Sequence, residues 1–158
     1  MQPSNALQQI PMERIVLTIP GAPLGQPRAR AVAIGGHARV YAPQGGGVAE
    51  FKALARRIAA EVYQGPPLEV PLRVDCLFVF PRTKGQMWKT RPMPRLPRVS
   101  KPDRDNLDKL VLDALTGIVW RDDALVTCGW LEKVVAAGDE QPRTVVTIST
   151  IEPGGATP

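Results

Sequence analysis

The chain has 158 residues and is 44% apolar, which suits one domain with a real core and leaves little room for a second. Twenty lysines and arginines against fifteen acidic residues give a net charge of +5, compatible with a polyanionic partner but shared by many ordinary proteins. No stretch approaches the roughly 20 consecutive apolar residues of a membrane span, and two cysteines make neither a zinc site nor a disulfide framework.

In chain order, residues 1–13 read as a flexible tail; their sequence lacks the basic start and apolar run of a signal peptide, so a cytoplasmic location is expected. "RIVLTIP" (14–20) is a β-branched run stopped by Pro20-Gly21, a strand. A Gly/Pro-rich excursion follows and returns as a short strand near 38–42. From Gly46 to Tyr63 the apolar residues Val48, Phe51, Ala55, Ile58 and Val62 recur at helical spacing. "PLRVDCLFVFP" (71–81) alternates Leu72, Val74, Cys76, Phe78 and Phe80 on one face, a long strand. Cys76 and Cys128 each lie inside an apolar run and read as reduced core residues.

Between Arg82 and Lys101 stand seven positive residues and no negative one, in a proline-broken loop suited to attracting phosphates through Arg91, Arg95, Arg98 and Lys101. A second helix is predicted over Asn106–Thr116, with Asp105 at its N-cap and Gly117 placed to stop it. Residues 124–136 and 143–151 read as two strands joined as a hairpin around "AGDEQP", and 152–158 as another flexible tail. The order β-β-α-β-α-β-β predicts an α+β fold: one mixed β-sheet of about five strands with two helices packed on it, in a single domain over 14–151. Trp120 and Trp130 are assigned to the core; Trp88, in the basic loop, is free to stack on an unpaired base.

"KPDRDN" carries the chemistry. Asp103 and Asp105 stand two apart in an extended segment, so both carboxylates point the same way. Capping accounts for one of them only. Asp105, Lys109 and Asp113 follow at i, i+4 and i+8, which places the lysine one turn beyond Asp105. "WRDDAL" then supplies Asp122 and Asp123, and a helix that leads back to the sheet lets Asp123 approach Asp103 and Asp105. Like charges about 4 Å apart repel by about 1 kcal/mol in water and about 4 kcal/mol at a protein surface, a cost that a bound divalent cation removes. Oxygen-only ligands favour Mg²⁺, or Mn²⁺, over zinc, and the lone His37 is not counted among them. Such a metal beside a lysine, within a basic surface, suits phosphodiester hydrolysis.

"KPDRDNLDKLVLDALTGIVWRDDALV" resembles the signature of the RusA family of Holliday-junction resolvases, found in bacteria and their prophages: KPD-x-DN-x-x-K, a helix with D-A-L, then a DD pair before a strand. "PGAPLGQPRARA" and "GHARVYAP" resemble the family's N-terminal part. The resemblance implies a homodimer that binds four-way DNA junctions and cuts opposed strands with Mg²⁺ during recombination and repair. Carried over, Asp103, Asp105 and Asp123 are the metal-binding catalytic carboxylates and Lys109 the catalytic lysine. Asp122 fills the first place of the DD pair, and Arg28 and Arg30 match the loop that touches DNA. Leu125 stands where the family commonly has glutamine, and the 82–100 segment is longer than in the smallest members. Two other functions compete: a non-catalytic junction-binding protein, such as a decayed prophage copy, and a DxD sugar-nucleotide transferase. Intact Asp103, Asp105, Lys109 and Asp123 argue against the first, and the absence of a Gly-rich phosphate loop against the second.

Overall fold

A computed structural model describes residues 14–41, 46–152 and 154. The expected tail 1–13, and residues 153 and 155–158 of the other, lie outside the described residues. Strand β1 (Arg14–Pro20) is followed by a short hairpin, β2 (Arg30–Ile34) and β3 (His37–Tyr41), and then by helix α1 (Val48–Val62). Strand β4 (Leu72–Phe80) leads through the basic loop to the two-residue β5 (Leu96–Pro97), and helix α2 spans Arg104–Leu115. Three strands end the chain: β6 (Val126–Cys128), β7 (Leu131–Val135) and β8 (Arg143–Thr150).

The main sheet runs β1-β8-β4-β7-β5, with β6 also paired to β4. It is mixed: β4 is antiparallel to β8 and parallel to β6 and β7. One face is apolar because the period-two pattern puts Ile15, Leu17, Ile19, Leu72, Val74, Cys76, Phe78, Val146 and Ile148 on it, all buried. Phe51, Ala55 and Ala59 of α1 and Leu107, Leu110, Val111, Ala114 and Leu115 of α2 pack onto that face. Trp120 fills the end of this core, fully buried, and its indole N–H is satisfied by Thr116 Oγ1 at 3.1 Å. The fold is thus α+β, with a mixed sheet and two helices, as the sequence predicts. Among the described residues no helix is long and apolar enough to cross a membrane.

Several details differ from expectation. The strands at 30–41 form a separate two-stranded sheet rather than joining the main one. Strands β7 and β8 are not hairpin partners, because β4 lies between them and pairs with both. The proline-broken loop contributes an edge strand, β5, in which Pro97 needs no donor of its own. The predicted strand 124–136 breaks at Gly129, where a Cβ would lie 1.8 Å from the Val74 carbonyl oxygen. The break turns Trp130 outward, half exposed, and its backbone N–H donates to Asp75 Oδ1 at 2.6 Å; it is not a core residue. Cys76 is buried, Cys128 only partly so.

Candidate active site

Helix α2 begins two residues earlier than its apolar stripe suggests. Its N-cap is Asp103, not Asp105, and the Asp103 side chain makes no capping hydrogen bond. Both carboxylates are left to act outward at the positive end of the helix, where the backbone favours negative charge. The segment before the helix is held by Lys133 of β7, whose Nζ donates to Ser100 O and Pro102 O, each at 2.7 Å. At the far end, Arg56 of α1 donates to the Ala114 and Thr116 carbonyls, and Gly117 (φ 82°) turns the chain away.

A single guanidinium nitrogen joins the two aspartates. Arg28 Nη2 lies 3.1 Å from Asp105 Oδ2, to which it donates, and 3.8 Å from Asp103 Oδ2. Arg28 sits in the segment after β1, and that segment is pinned to α2: the Gln26 N–H donates to Asn106 O at 2.8 Å, and Gly25 fits closely over Pro102. Two open clefts flank the first turn of α2. One, of about 360 Å³, is lined by Arg104, Asp105, Asp108, Thr127, Cys128 and Trp130. The other, of about 440 Å³, is lined by Arg28, Lys101, Asp103 and Asn106.

Asp123 is exposed in the short 3₁₀ turn Asp123–Leu125 that leads into β6. Asp103 and Asp105 are brought together on the Arg28 guanidinium, and among the described residues no group of three acidic, His or Cys side chains, Asp123 included, is placed to hold a metal. Asp122 has a structural task, accepting the Ala124 N–H at 2.8 Å to cap that turn. Lys109 is exposed one turn beyond Asp105. Asp113 leaves the expected line because a four-residue step drifts about 40° per repeat around a 3.6-residue helix; it pairs with Lys52 of α1 at 3.8 Å.

The donor set of the Asp103–Asp105 pair fits a hard divalent cation. Two carboxylates already share one position occupied by positive charge, and Mg²⁺ is commonly held by one or two carboxylates with the remaining oxygens from water and phosphate. Sequence reasoning passed over Asp108. It is half-buried beside Asp105 in the first cleft, and burial pushes its carboxyl up against a smaller lowering by Arg104. Its place at i+3 from Asp105 was the available signal.

In the basic loop, structure claims several of the expected DNA contacts. Arg95 is bound to Glu140, which also takes a hydrogen bond from Arg143 at 2.9 Å. Those partners, Arg95 first, hold Glu140 down at about 2. Arg98 lies over the Phe80 ring at 4.0 Å and donates to Lys101 O. Arg91 stacks 3.7 Å from the Trp88 ring centroid, so that ring is already engaged on a cation. Arg82, which was not singled out, ties the loop together through Ala136 O, Gln86 O and Pro94 O. Lys101 is exposed at the second cleft beside Arg28. The side chain of Arg30, at the start of β2, lies outside the described residues.

Comparison with known proteins finds one family: a family model described as endodeoxyribonuclease RusA matches residues 20–149. No curated protein matches the chain.

Proposed function

The chain belongs to the RusA endodeoxyribonuclease family, and from that premise we propose a Mg²⁺-dependent enzyme that resolves Holliday junctions by paired cuts in recombination and repair. The observation that carries this reading is the pair of carboxylates at the start of α2 facing one cationic position. Asp103 and Asp105 would hold the metal, Mg²⁺ or Mn²⁺, which when bound offsets charge on the scissile phosphate and lowers the pKa of a coordinated water. Asp123, exposed at the start of its short turn, is proposed as the third carboxylate, with Asp122 holding that turn. Lys109, exposed one turn along α2, is proposed to meet the phosphate and stabilise its added charge in the transition state.

Arg28, Arg30 and Lys101 are proposed as direct phosphate contacts. Arg91, Arg95 and Arg98 contribute charge from a loop they also hold in shape. Paired cuts need two equivalent sites, so the working unit is a two-fold homodimer of the 14–151 domain, acting on chromosomal or prophage DNA in the cytoplasm.

A synthetic mobile four-way junction, compared with a linear duplex of the same sequence, tests the proposal. Symmetrically placed nicks that require both the junction and Mg²⁺, and that disappear in Asp105→Asn while junction binding persists, are expected. Cutting of the duplex as readily as the junction, or normal cutting by Asp105→Asn, would overturn it. Binding without any nick would favour the non-catalytic junction-binding reading.

A further inference from the structure

We infer that Arg28 serves as the resident counter-charge of Asp103 and Asp105 and is released to a DNA phosphate when a divalent cation binds there. This inference rests on the reading of those two aspartates as metal carboxylates. One guanidinium nitrogen lies within 3.8 Å of both carboxylates, at a position facing the donors a metal would use. A guanidinium stays protonated at any working pH, so it cannot share that position with a second cation by giving up its proton.

The pair is built to exchange. Arg28 is 68% exposed, and Asp103 and Asp105 are 50% and 67% exposed; ion pairs so open to water are weak. Backbone and side chain are treated differently. The Gln26 N–H to Asn106 bond and the close fit of Gly25 on Pro102 fix the segment on α2, while among the described residues the arginine side chain is tied only through its carboxylate contacts. Once displaced, the guanidinium remains tethered at the mouth of the cleft it shares with Lys101, where a phosphate offers two acceptor oxygens to its fork, as a carboxylate does. Metal and DNA binding are then linked: each makes the other tighter by the same factor, and part of that factor passes through Arg28.

Binding measurements without turnover test this. Mn²⁺ binding to the protein alone is followed by electron paramagnetic resonance, and four-way-junction binding by fluorescence anisotropy in EDTA and in Ca²⁺. Arg28→Ala should bind Mn²⁺ about three- to tenfold tighter than the wild type, because a competing cation is gone, and Arg28→Lys should fall between them. Ca²⁺ should tighten junction binding by the wild type, and that gain should shrink at least about threefold in Arg28→Ala, with Arg28→Lys restoring part of it. Unchanged Mn²⁺ affinity in Arg28→Ala, or an undiminished Ca²⁺ gain, would overturn the inference while leaving the metal site standing. Equal Mn²⁺ binding by the wild type and Asp105→Asn would instead remove the metal-carboxylate reading, and the inference with it.

Discussion

At the level of single residues, the aspartates of one short region divide into distinct tasks. Asp103 and Asp105 face a shared cation, Asp122 caps a turn, and Asp113 is taken by Lys52. Asp108 sits half-buried, and burial disfavours its ionised form. Its folded-state pKa lies above the unfolded one, so its charge costs stability above the ordinary carboxylate range, and the cost vanishes once both states are protonated. Asp108→Asn is therefore expected to melt higher than the wild type at pH 7, with the difference lost below about pH 4. Calorimetric melting of both proteins across that range checks it; a lower melting temperature for the variant at pH 7 would mean that the carboxylate makes a stabilising contact. Trp130 shows the same dependence on surroundings from the apolar side. An indole in a strand-like run reads as core, yet one glycine pressed against the Val74 carbonyl ends the strand just before it and leaves it in solvent.

Among the elements, the 82–100 segment departs most from its composition. A run of basic residues broken by prolines reads as solvated, but Arg82, Arg95 and Arg98 each spend their guanidinium on the fold. Glu140 is the anchor, joining Arg95 of the loop to Arg143 at the start of β8 and to the Ala137 N–H. Its depressed pKa makes a stabilising contribution that is present above the ordinary glutamate range and is lost as pH falls from about 4.5 toward about 2. Glu140→Gln should cost about 1–2 kcal/mol and a few degrees of melting temperature at pH 7. Measured at falling pH, the gap between variant and wild type should close as the wild type loses the same charge. A gap that is constant with pH would assign the effect to packing rather than to the ion pair. Helix α2 owes its boundaries to tertiary partners in the same way, its start held through Lys133 and its last carbonyls through Arg56.

For the molecule as a whole, a net charge of +5 does not say where positive charge is left free at the surface. Much of the arginine in the basic loop is bound internally, whereas Arg28 and Lys101 line one cleft beside the carboxylates. Junction affinity should fall steeply with salt, and neutralising Arg28 and Lys101 together should flatten the log–log slope by about 0.9 for each phosphate that no longer meets a positive charge. Anisotropy titrations over a range of KCl concentrations check this. An unchanged slope would move the phosphate track away from that cleft.

The order of amino acids settles whatever depends on short-range pattern. Alternation along 72–80 and the apolar stripe from Leu107 to Leu115 specify a strand and a helix with one buried face each, because side-chain direction repeats every two residues in one and every 3.6 in the other. The motif spacing likewise puts Asp103, Asp105 and Lys109 within two turns of one another. Long-range packing sets which strands are neighbours, which arginines are already spent, and that an arginine 75 or more residues away in the chain bridges the two aspartates. Those outcomes turn on contacts between distant segments: β4 entering between β7 and β8, Gly129 crossing Val74, and Gln26 fixing the Arg28 segment on α2. Local propensity carries no term for such pairings, since they form only where the packed core brings the segments together.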